Sequence, residues 1–481
     1  MWDFLKAFPL LLQMLFSVDT ICALATPNGS GAIGIIRISG PKAIEITETF
    51  FSKKLADKAS HTIHFGTFKD ANQSLVDEVL ISVFKEGKSF TGEESVEISC
   101  HGSAYILQQI LAVLTQAGCR LAEPGEFTQR AFMNGKLDLS QAEAVADLIA
   151  SQSRQSHQIA LRQLRGNLAH ELKDLRSKLI HFASLIELEL DFAEEDVEFA
   201  DRSELHLLMD EVLTRVQRLE QSFALGNALK KGVSVAIVGA PNTGKSTLLN
   251  QLLGEERAIV SSIQGTTRDV IEETLNIDGI LFRLNDTAGI RDTTEVIESL
   301  GIERSLQKIE QAQIVLLMSD AGDHLEQTEN HASMPPEEAI NWAQKISLQY
   351  PDKKVIVLAN KMDLRTSSLE NQIINAVELI TISAKLGHGI DELKSKLIKS
   401  VIADFDLSNE TIVSNTRHWE QLSRTAENLI QAKKGLLTSI SGDFIAMDIR
   451  AAMRHLGNIT GEIEIDKDIL GNIFAHFCIG K

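Results

Sequence analysis

The sequence predicts a multidomain protein: an α+β N-terminal domain, an all-α helical bundle, and an α/β domain inserted into that bundle. Three observations carry this. Up to about residue 134, strand-like runs (Ile33 to Ile38, Glu78 to Phe84, Ser95 to Ser99) alternate with a helical stretch, Tyr105 to Gln116. From Leu139 to about Gly226 there is no proline, and Leu172, Leu175, Leu179, Phe182 and Ile186 recur at helical spacing as a core stripe. That periodicity returns at Trp419, Leu422, Ala426 and Ile430, and again from Ile445 to Leu456, so both flanks of the intervening α/β segment are helical.

Taken in order, residues 1–17 form an apolar N-terminal extension containing Trp2, Phe4, Leu5 and Phe8. It is shorter than the roughly 20 residues that span a bilayer. Ala23-Leu24-Ala25 mimics a signal-peptide cleavage site, and Met14 offers an alternative start. Residues 18–134 form the α+β domain, 135–230 the first helical part, 231–399 the inserted domain and 400–481 the second helical part with its tail. Gly322 to Glu338, polar and holding Pro335-Pro336, reads as a surface loop.

With 481 residues, 44% hydrophobic and 23% charged, the chain has room for roughly three globular domains. The net charge of −19 is unlike that of a nucleic-acid-binding surface, so any such contact needs a local basic patch or a partner protein. Cys22, Cys100, Cys119 and Cys478 show no Cys-x-x-Cys spacing. That argues against a disulfide framework or a zinc site and fits a cytoplasmic location. No membrane association is expected.

The inserted domain opens on the apolar run Val233 to Val238, followed by Gly239-Ala240-Pro241-Asn242-Thr243-Gly244-Lys245-Ser246-Thr247 and the helical Leu248 to Leu253. Strand, glycine loop and helix form the setting of a phosphate-binding loop, in which backbone N–H groups and the helix N-terminus meet phosphate oxygens. Lys245 adds a full charge and Ser246 can ligate magnesium. Asp286-Thr287-Ala288-Gly289 follows Ile280 to Leu284; its Asp can hold magnesium through water and its Gly can offer an N–H to a γ-phosphate. Asn360-Lys361-Met362-Asp363, after Val355 to Ala359, resembles the guanine-reading motif of small GTPases. Asp363 can accept from the N1–H and exocyclic amine of guanine, a donor pattern adenine lacks. Ser383-Ala384-Lys385 resembles the loop that contacts the guanine oxygen. Four motifs in this order favour GTP over ATP. Ile290 stands where Ras-type enzymes carry a water-orienting Gln, so hydrolysis here needs another device. Thr267, within Gly265-Thr266-Thr267-Arg268-Asp269, can ligate magnesium when the switch closes.

The chain ends fix the family resemblance. The terminus reads Phe477-Cys478-Ile479-Gly480-Lys481. The first domain holds Gly34-Ile35-Ile36-Arg37-Ile38-Ser39-Gly40, Phe90-Thr91-Gly92-Glu93 and the run from Pro124-Gly125-Glu126-Phe127 to Lys136-Leu137-Asp138-Leu139. With the nucleotide motifs, these closely resemble the bacterial and organellar tRNA modification GTPase family (MnmE, also called TrmE), from about Asp19 to Lys481.

That resemblance implies a folate-binding-like first domain, a Ras-like inserted G domain and a homodimer. It implies GTP hydrolysis coupled to modification of the tRNA wobble uridine. An FAD-dependent partner would join in a hetero-oligomer, and 5,10-methylene-tetrahydrofolate or a formyl-folate analogue would supply a carbon. It assigns GTP contacts to Asn242, Thr243, Gly244, Lys245, Ser246, Thr247, Ser261, Ser262, Ile263, Gln264, Gly265, Thr266, Thr267, Asp286, Thr287, Ala288, Gly289, Asn360, Lys361, Asp363, Ser383, Ala384 and Lys385. Magnesium falls to Ser246 and Thr267, and potassium to Asn242, Ser261, Ile263 and Thr266, where a fixed cation can do the electrostatic work of an arginine finger. Glu298 matches the family's catalytic glutamate, with Glu295 as the competing carboxylate. Arg37, Glu97, Lys136 and Lys481 match folate contacts, and Cys478 a residue needed for modification. The chain departs from the family at Pro27-Asn28-Gly29-Ser30-Gly31-Ala32, where Ser30 replaces an arginine. The rival function is a regulatory or ribosome-assembly GTPase switch that modifies nothing.

Overall fold

The computed structural model describes residues 19–191, 202–256, 273–284, 306–323, 334–366, 369–374, 377–402, 405–407, 409–438 and 441–462, with 470, 473–475, 477 and 480. The expectations for residues 1–17 lie outside the described residues. The chain divides into two compact units, one of residues 1–149, 160–213 and 424–481, the other of residues 150–159 and 214–423.

In the first unit, strands β1 (Ile21–Leu24), β2 (Ile33–Ser39), β3 (Thr62–Lys69), β4 (Leu75–Phe84), β5 (Ser95–His101) and β6 (Arg120–Leu121) form one sheet. Its order is β3-β4-β5-β2-β1-β6. Alternation in β2, β4 and β5 places Ile36, Ile38, Ile81, Val83, Val96 and Ile98 on one face. There they pack with helices α1 (Ala43–Phe50) and α2 (Ala104–Gln116) through Ile44, Leu107, Ile110 and Leu114. The opposite face carries Arg37, which faces Glu97 across the β2–β5 pair. Cys22, Cys100 and Cys119 are buried free thiols.

Helices α3 (Glu126–Met133), α4 (Leu139–Ala150), α5 (Arg154–Leu164), α6 (Asn167–Asp191) and α7 (Arg202–Lys231) precede the inserted domain. Two more, α11 (Thr416–Leu437) and α12 (Gly442–Thr460), follow it. The stripe Leu172, Leu175, Leu179, Phe182 and Ile186 is buried, and α6 packs against α12. One stripe member is corrected: Ile430 is 44% exposed. The buried line of α11 runs through Leu422, Ala426, Leu429, Ala432 and Leu436, and Ile430 stands about 100° round the helix from Leu429.

The second unit holds a seven-stranded sheet in the order β12-β13-β11-β10-β7-β9-β8. Its strands are β7 (Val233–Gly239), β8 (Glu273–Ile277), β9 (Ile280–Leu284), β10 (Ile314–Asp320), β11 (Lys354–Asn360), β12 (Gln372–Ile374) and β13 (Val377–Thr381). The central strands β13, β11, β10, β7 and β9 run parallel, with antiparallel edges. The helices beside them are α8 (Lys245–Glu256), α9 (Pro336–Gln349) and α10 (Ile390–Ile402). A parallel sheet covered on both faces needs continuous apolar strands, and all seven residues of β10 are buried. The Gly322 to Glu338 reading is corrected at its end, because Pro336 opens α9 at a position where its missing N–H has no partner to lose. Glu337 and Glu338 then suit the positive end of the helix. The insertion's two ends meet on α7, where Arg218 donates to Glu410 at 3.0 and 2.9 Å and Val413 N donates to Ser222 Oγ at 3.0 Å. Among the described residues, no helix is long and apolar enough to cross a membrane.

Candidate functional site

The first candidate site lies at the C-terminal ends of the parallel strands β7, β10, β11 and β13, where an open α/β sheet presents its loops to ligands. The loop from Gly239 to Gly244 joins β7 to α8 and leaves no room for a side chain at either glycine. A Cβ on Gly239 would stand 2.4 Å from the Met318 carbonyl oxygen, and one on Gly244 would stand 2.2 Å from Asn360 Nδ2. Gly244 has φ +97° and Asn242 φ +62°, the left-handed region that glycine and asparagine tolerate. Thr243 Oγ1 donates to the Ala240 carbonyl at 2.9 Å, closing the turn. Lys245 Nζ donates to the carbonyls of Gly239 and Ala240 at 2.9 and 2.7 Å. Burial, and then the Lys308 charge, hold this ammonium below the usual lysine range, so it is primed to gain from an anion. Ser246 and Thr247 are exposed at the start of α8.

Asn360 ties the three loops together. It is 2% exposed; its Nδ2 donates to the Thr243 carbonyl at 2.8 Å and its Oδ1 accepts from Ala384 N at 2.9 Å. Ser383, fully buried, donates through Oγ to Asp363 Oδ1 at 2.7 Å. That bond, with the nearby Lys385 and His388 charges, holds the exposed Asp363 carboxyl below the usual carboxylate range. Asp363 therefore presents an exposed, ionised acceptor beside the Ser383 loop. Lys361, with φ +67°, pairs through Nζ with Asp320 Oδ2 at 2.6 Å. Asp320 is the residue sequence reasoning missed. Its signal was an acid, after Ser319, closing the apolar run Ile314 to Met318.

Of the other nucleotide candidates, Ser261, Ser262, Ile263, Gln264, Gly265, Thr266, Thr267, Asp286, Thr287, Ala288, Gly289 and Glu298 lie outside the described residues. Of the four potassium candidates, only Asn242 is described.

The second candidate site is on the open face of the first unit's sheet. Arg37 donates through Nε and Nη2 to Glu97 Oε1 at 3.0 and 2.8 Å. Its guanidinium lies 5.7 Å from the ring centres of both Phe90 and Phe127. Its Nη1 donates to the Gly480 carbonyl at 3.4 Å, bringing the C-terminal tail to this arginine. Gly480 packs against Leu24 and Ala25, while Phe474 and Phe477 pack near Leu139 and Phe132. Lys136 Nζ donates to the Gly87 carbonyl at 2.9 Å, on the loop that carries Phe90. Cys478 and Lys481, flanking Gly480, lie outside the described residues. Phe90 and Phe127 went unpredicted as site residues, although both stand in the strings that carried the resemblance.

Behind this face, Arg130 joins Asp19, Glu93 and Glu126 at 2.6, 3.2 and 3.0 Å, and Arg120 joins Asp19 and Glu126 at 2.6 and 2.5 Å. Ser39 Oγ donates to Glu93 Oε2 at 2.7 Å. Each buried charge has a partner, so this network reads as scaffold.

Comparison with known proteins places both units. Residues 20–136 match the family model described as GTP-binding protein TrmE N-terminus, and residues 139–478 the one described as MnmE helical domain. A tRNA modification GTPase MnmE of Flavobacterium johnsoniae is 51% identical over 475 residues, covering 96% of this chain and 99% of that protein. Proteins of the same description from Christiangramia forsetii and Bacteroides fragilis are each 50% identical, over 477 and 476 residues, with the same coverage. Matches of this depth and extent, over both units, show that the chain belongs to the MnmE family.

Proposed function

We propose that this chain is a GTPase that modifies tRNA at C5 of the wobble uridine, working as a cytoplasmic homodimer with an FAD-dependent partner. The observation that carries the nucleotide half is the Asn360 junction. One buried amide fixes the phosphate loop, the Asp363 loop and the Ser383-Ala384 loop in mutual register. Guanine fits the ionised Asp363 carboxylate, which accepts from two adjacent N–H donors. The triphosphate fits a loop held close by Gly239 and Gly244 and a lysine already at its rim. On binding, Lys245 leaves the Gly239 and Ala240 carbonyls for phosphate oxygens, and the α8 N-terminus adds its partial charge.

The residues at hand fit two metal ions in part. Ser246 offers a hydroxyl to magnesium, with Thr267 as the family's second ligand; magnesium neutralises phosphate charge. Asn242, held in the left-handed conformation beside the phosphate loop, offers its side-chain oxygen to potassium, with Ser261, Ile263 and Thr266 as companions. Potassium supplies fixed positive charge where Ile290 cannot orient water. Glu298 is the residue we assign to water activation. Glu298→Ala is expected to lower turnover by about 10²-fold with GTP affinity unchanged; normal turnover would move that role to Glu295.

For the modification half, Glu97 receives both Arg37 donors on Oε1, which leaves Oε2 for a pterin amide and amine. Phe90, 40% exposed, offers a flat apolar wall, and the buried Phe127 backs the Arg37 guanidinium. A methylene-tetrahydrofolate or formyl-folate bound there supplies the one-carbon unit, and the flavin of the partner supplies redox chemistry. Lys136 and Lys481 suit the anionic glutamyl tail. The Arg37–Gly480 hydrogen bond favours this reading over a pure GTPase switch, because a switch has no need of a tail held at the Arg37–Glu97 pair.

The test compares nucleotides. GTP should be hydrolysed and ATP should not; Asp363→Asn should turn preference toward xanthosine triphosphate. Equal GTP and ATP turnover in the unmodified protein would refute the guanine assignment.

A further inference from the structure

We propose that Asp320 is a positioning residue of the guanine pocket: it holds the Lys361 side chain stretched between the base-reading loop and the phosphate loop, as a preformed platform for the base. This rests on the guanine reading above. Asp320 ends β10, and its side chain is 3% exposed. Oδ2 accepts from Lys361 Nζ at 2.6 Å, and Oδ1 accepts from Gly322 N at 3.1 Å.

The sheet order gives this ion pair its meaning. Strands β11, β10 and β7 are consecutive parallel neighbours, so their C-terminal ends stand in a row. Lys361 follows β11, Asp320 ends β10 and the phosphate loop follows β7. The lysine stem crosses from the first of these ends to the second, toward the third. Asp363 follows two residues from its root, and Gly244 packs against Asn360 and Met318 at the ends of the same strands. A purine that points its edge at Asp363 and its phosphates at Lys245 lies along this stem. Four methylene groups then meet the flat face of the base while the ammonium stays neutralised.

The backbone beneath is stitched to the same end. Lys361 adopts φ +67°, a conformation that non-glycine residues disfavour. Ala321 N donates to the Asn360 carbonyl at 2.9 Å, and Arg365 Nη1 donates to the Ala321 carbonyl at 3.3 Å. Thr366 donates through N and Oγ1 to Asp323 Oδ2 at 2.7 and 2.6 Å. The loop after β10 is thus the bed on which the base-reading loop rests. A lysine released from Asp320 regains its rotamers and must lose them again when the nucleotide binds.

The experiment measures binding of GDP and GTP, turnover and thermal stability in the full chain. Asp320→Asn should weaken both nucleotides about tenfold, the effect of freeing one long side chain. The loss should fall on KM more than on kcat, and the preference for GTP over xanthosine triphosphate should be kept, because Asp363 is intact. Lys361→Met keeps a stem but removes the ammonium that faces the buried Asp320 Oδ2, so it should lower the melting temperature. Adding Asp320→Asn to it should restore stability and weaken binding no further. Wild-type affinity in Asp320→Asn would overturn the proposal. So would a second tenfold loss from Asp320→Asn in the Lys361→Met background. If Asp320→Asn alone does not fold, Lys361→Met and the double variant decide by the same comparison. Asp363→Asn separates the two claims: unchanged base preference in that variant defeats the guanine reading itself, whereas switched preference with wild-type binding in Asp320→Asn defeats only the positioning role.

Discussion

Removing the Asn360 side chain should uncouple the nucleotide loops, and the structure sets the size of the effect. Asn360→Ala deletes the donor to the Thr243 carbonyl at 2.8 Å and the acceptor of Ala384 N at 2.9 Å. Thr243 and Ala384 are almost wholly buried, at 0% and 1% exposure, so water does not replace the lost partner without local opening. A buried polar group left unsatisfied costs roughly 1–3 kcal/mol. Two such groups give about 2–6 kcal/mol, less whatever relaxation recovers. If the loops must be brought back into register to bind, even the lower figure weakens GDP about 30-fold. Asn360→Asp is the diagnostic companion. It keeps the acceptor for Ala384 N but turns a carboxylate oxygen toward the Thr243 carbonyl, so it should damage the phosphate loop as much or more. Calorimetric titration with GDP gives the affinities, and hydrogen exchange at the Ala384 amide reads its bond directly. Exchange should accelerate in Asn360→Ala and stay slow in Asn360→Asp. Affinity within threefold of wild type and unchanged Ala384 protection would refute the junction.

Three further outcomes follow. The affinity ratio of GDP to inosine diphosphate, which lacks the exocyclic amine but shares the phosphates, should stay flat from about pH 8 to pH 5. Asp363 must be ionised to accept, and Ser383 holds its pKa below the ordinary value of about 3.9, so discrimination exists above that lowered pKa and is lost as pH falls through it; a midpoint above pH 5 would contradict this. Turnover should depend on potassium, with sodium a poor substitute; equal rates in the two salts would remove the cation from the mechanism. Cys478→Ser should abolish tRNA modification while sparing GTP hydrolysis, because Gly480, two residues on, lies in the first compact unit and the phosphate loop in the second; loss of GTPase activity, or wild-type modification, would count against separate sites.

The candidate nucleotide site was legible because its strings are short and contiguous, each following an apolar run that reads as a buried strand. Gly239 to Thr247, Asn360 to Asp363 and Ser383 to Lys385 needed no tertiary information to be found. What joins them was not legible. Asp320 and Lys361 are 41 residues apart, and an acid after an apolar run reads as an ordinary turn. The Arg37 contact with Gly480 spans 443 residues, and no local pattern foretells which strand a tail will meet. Helical periodicity marked both flanks of the insertion but counted Ile430 in the stripe, because an apolar residue one place off a buried stripe looks the same in sequence as one on it. In the same way, Pro335-Pro336 signalled irregular chain, whereas Pro336 opens a helix, a position that proline favours as strongly as it favours a turn.

The central claim is that this chain modifies wobble uridine, and mass spectrometry of tRNA nucleosides tests it most directly. In cells lacking the chain, uridines carrying an aminomethyl-type group at C5 should disappear, and the wild-type chain should restore them while Lys245→Ala, deprived of its phosphate-binding charge, should not. An unaltered nucleoside profile in the deletion would contradict the account and leave a GTPase without modification chemistry.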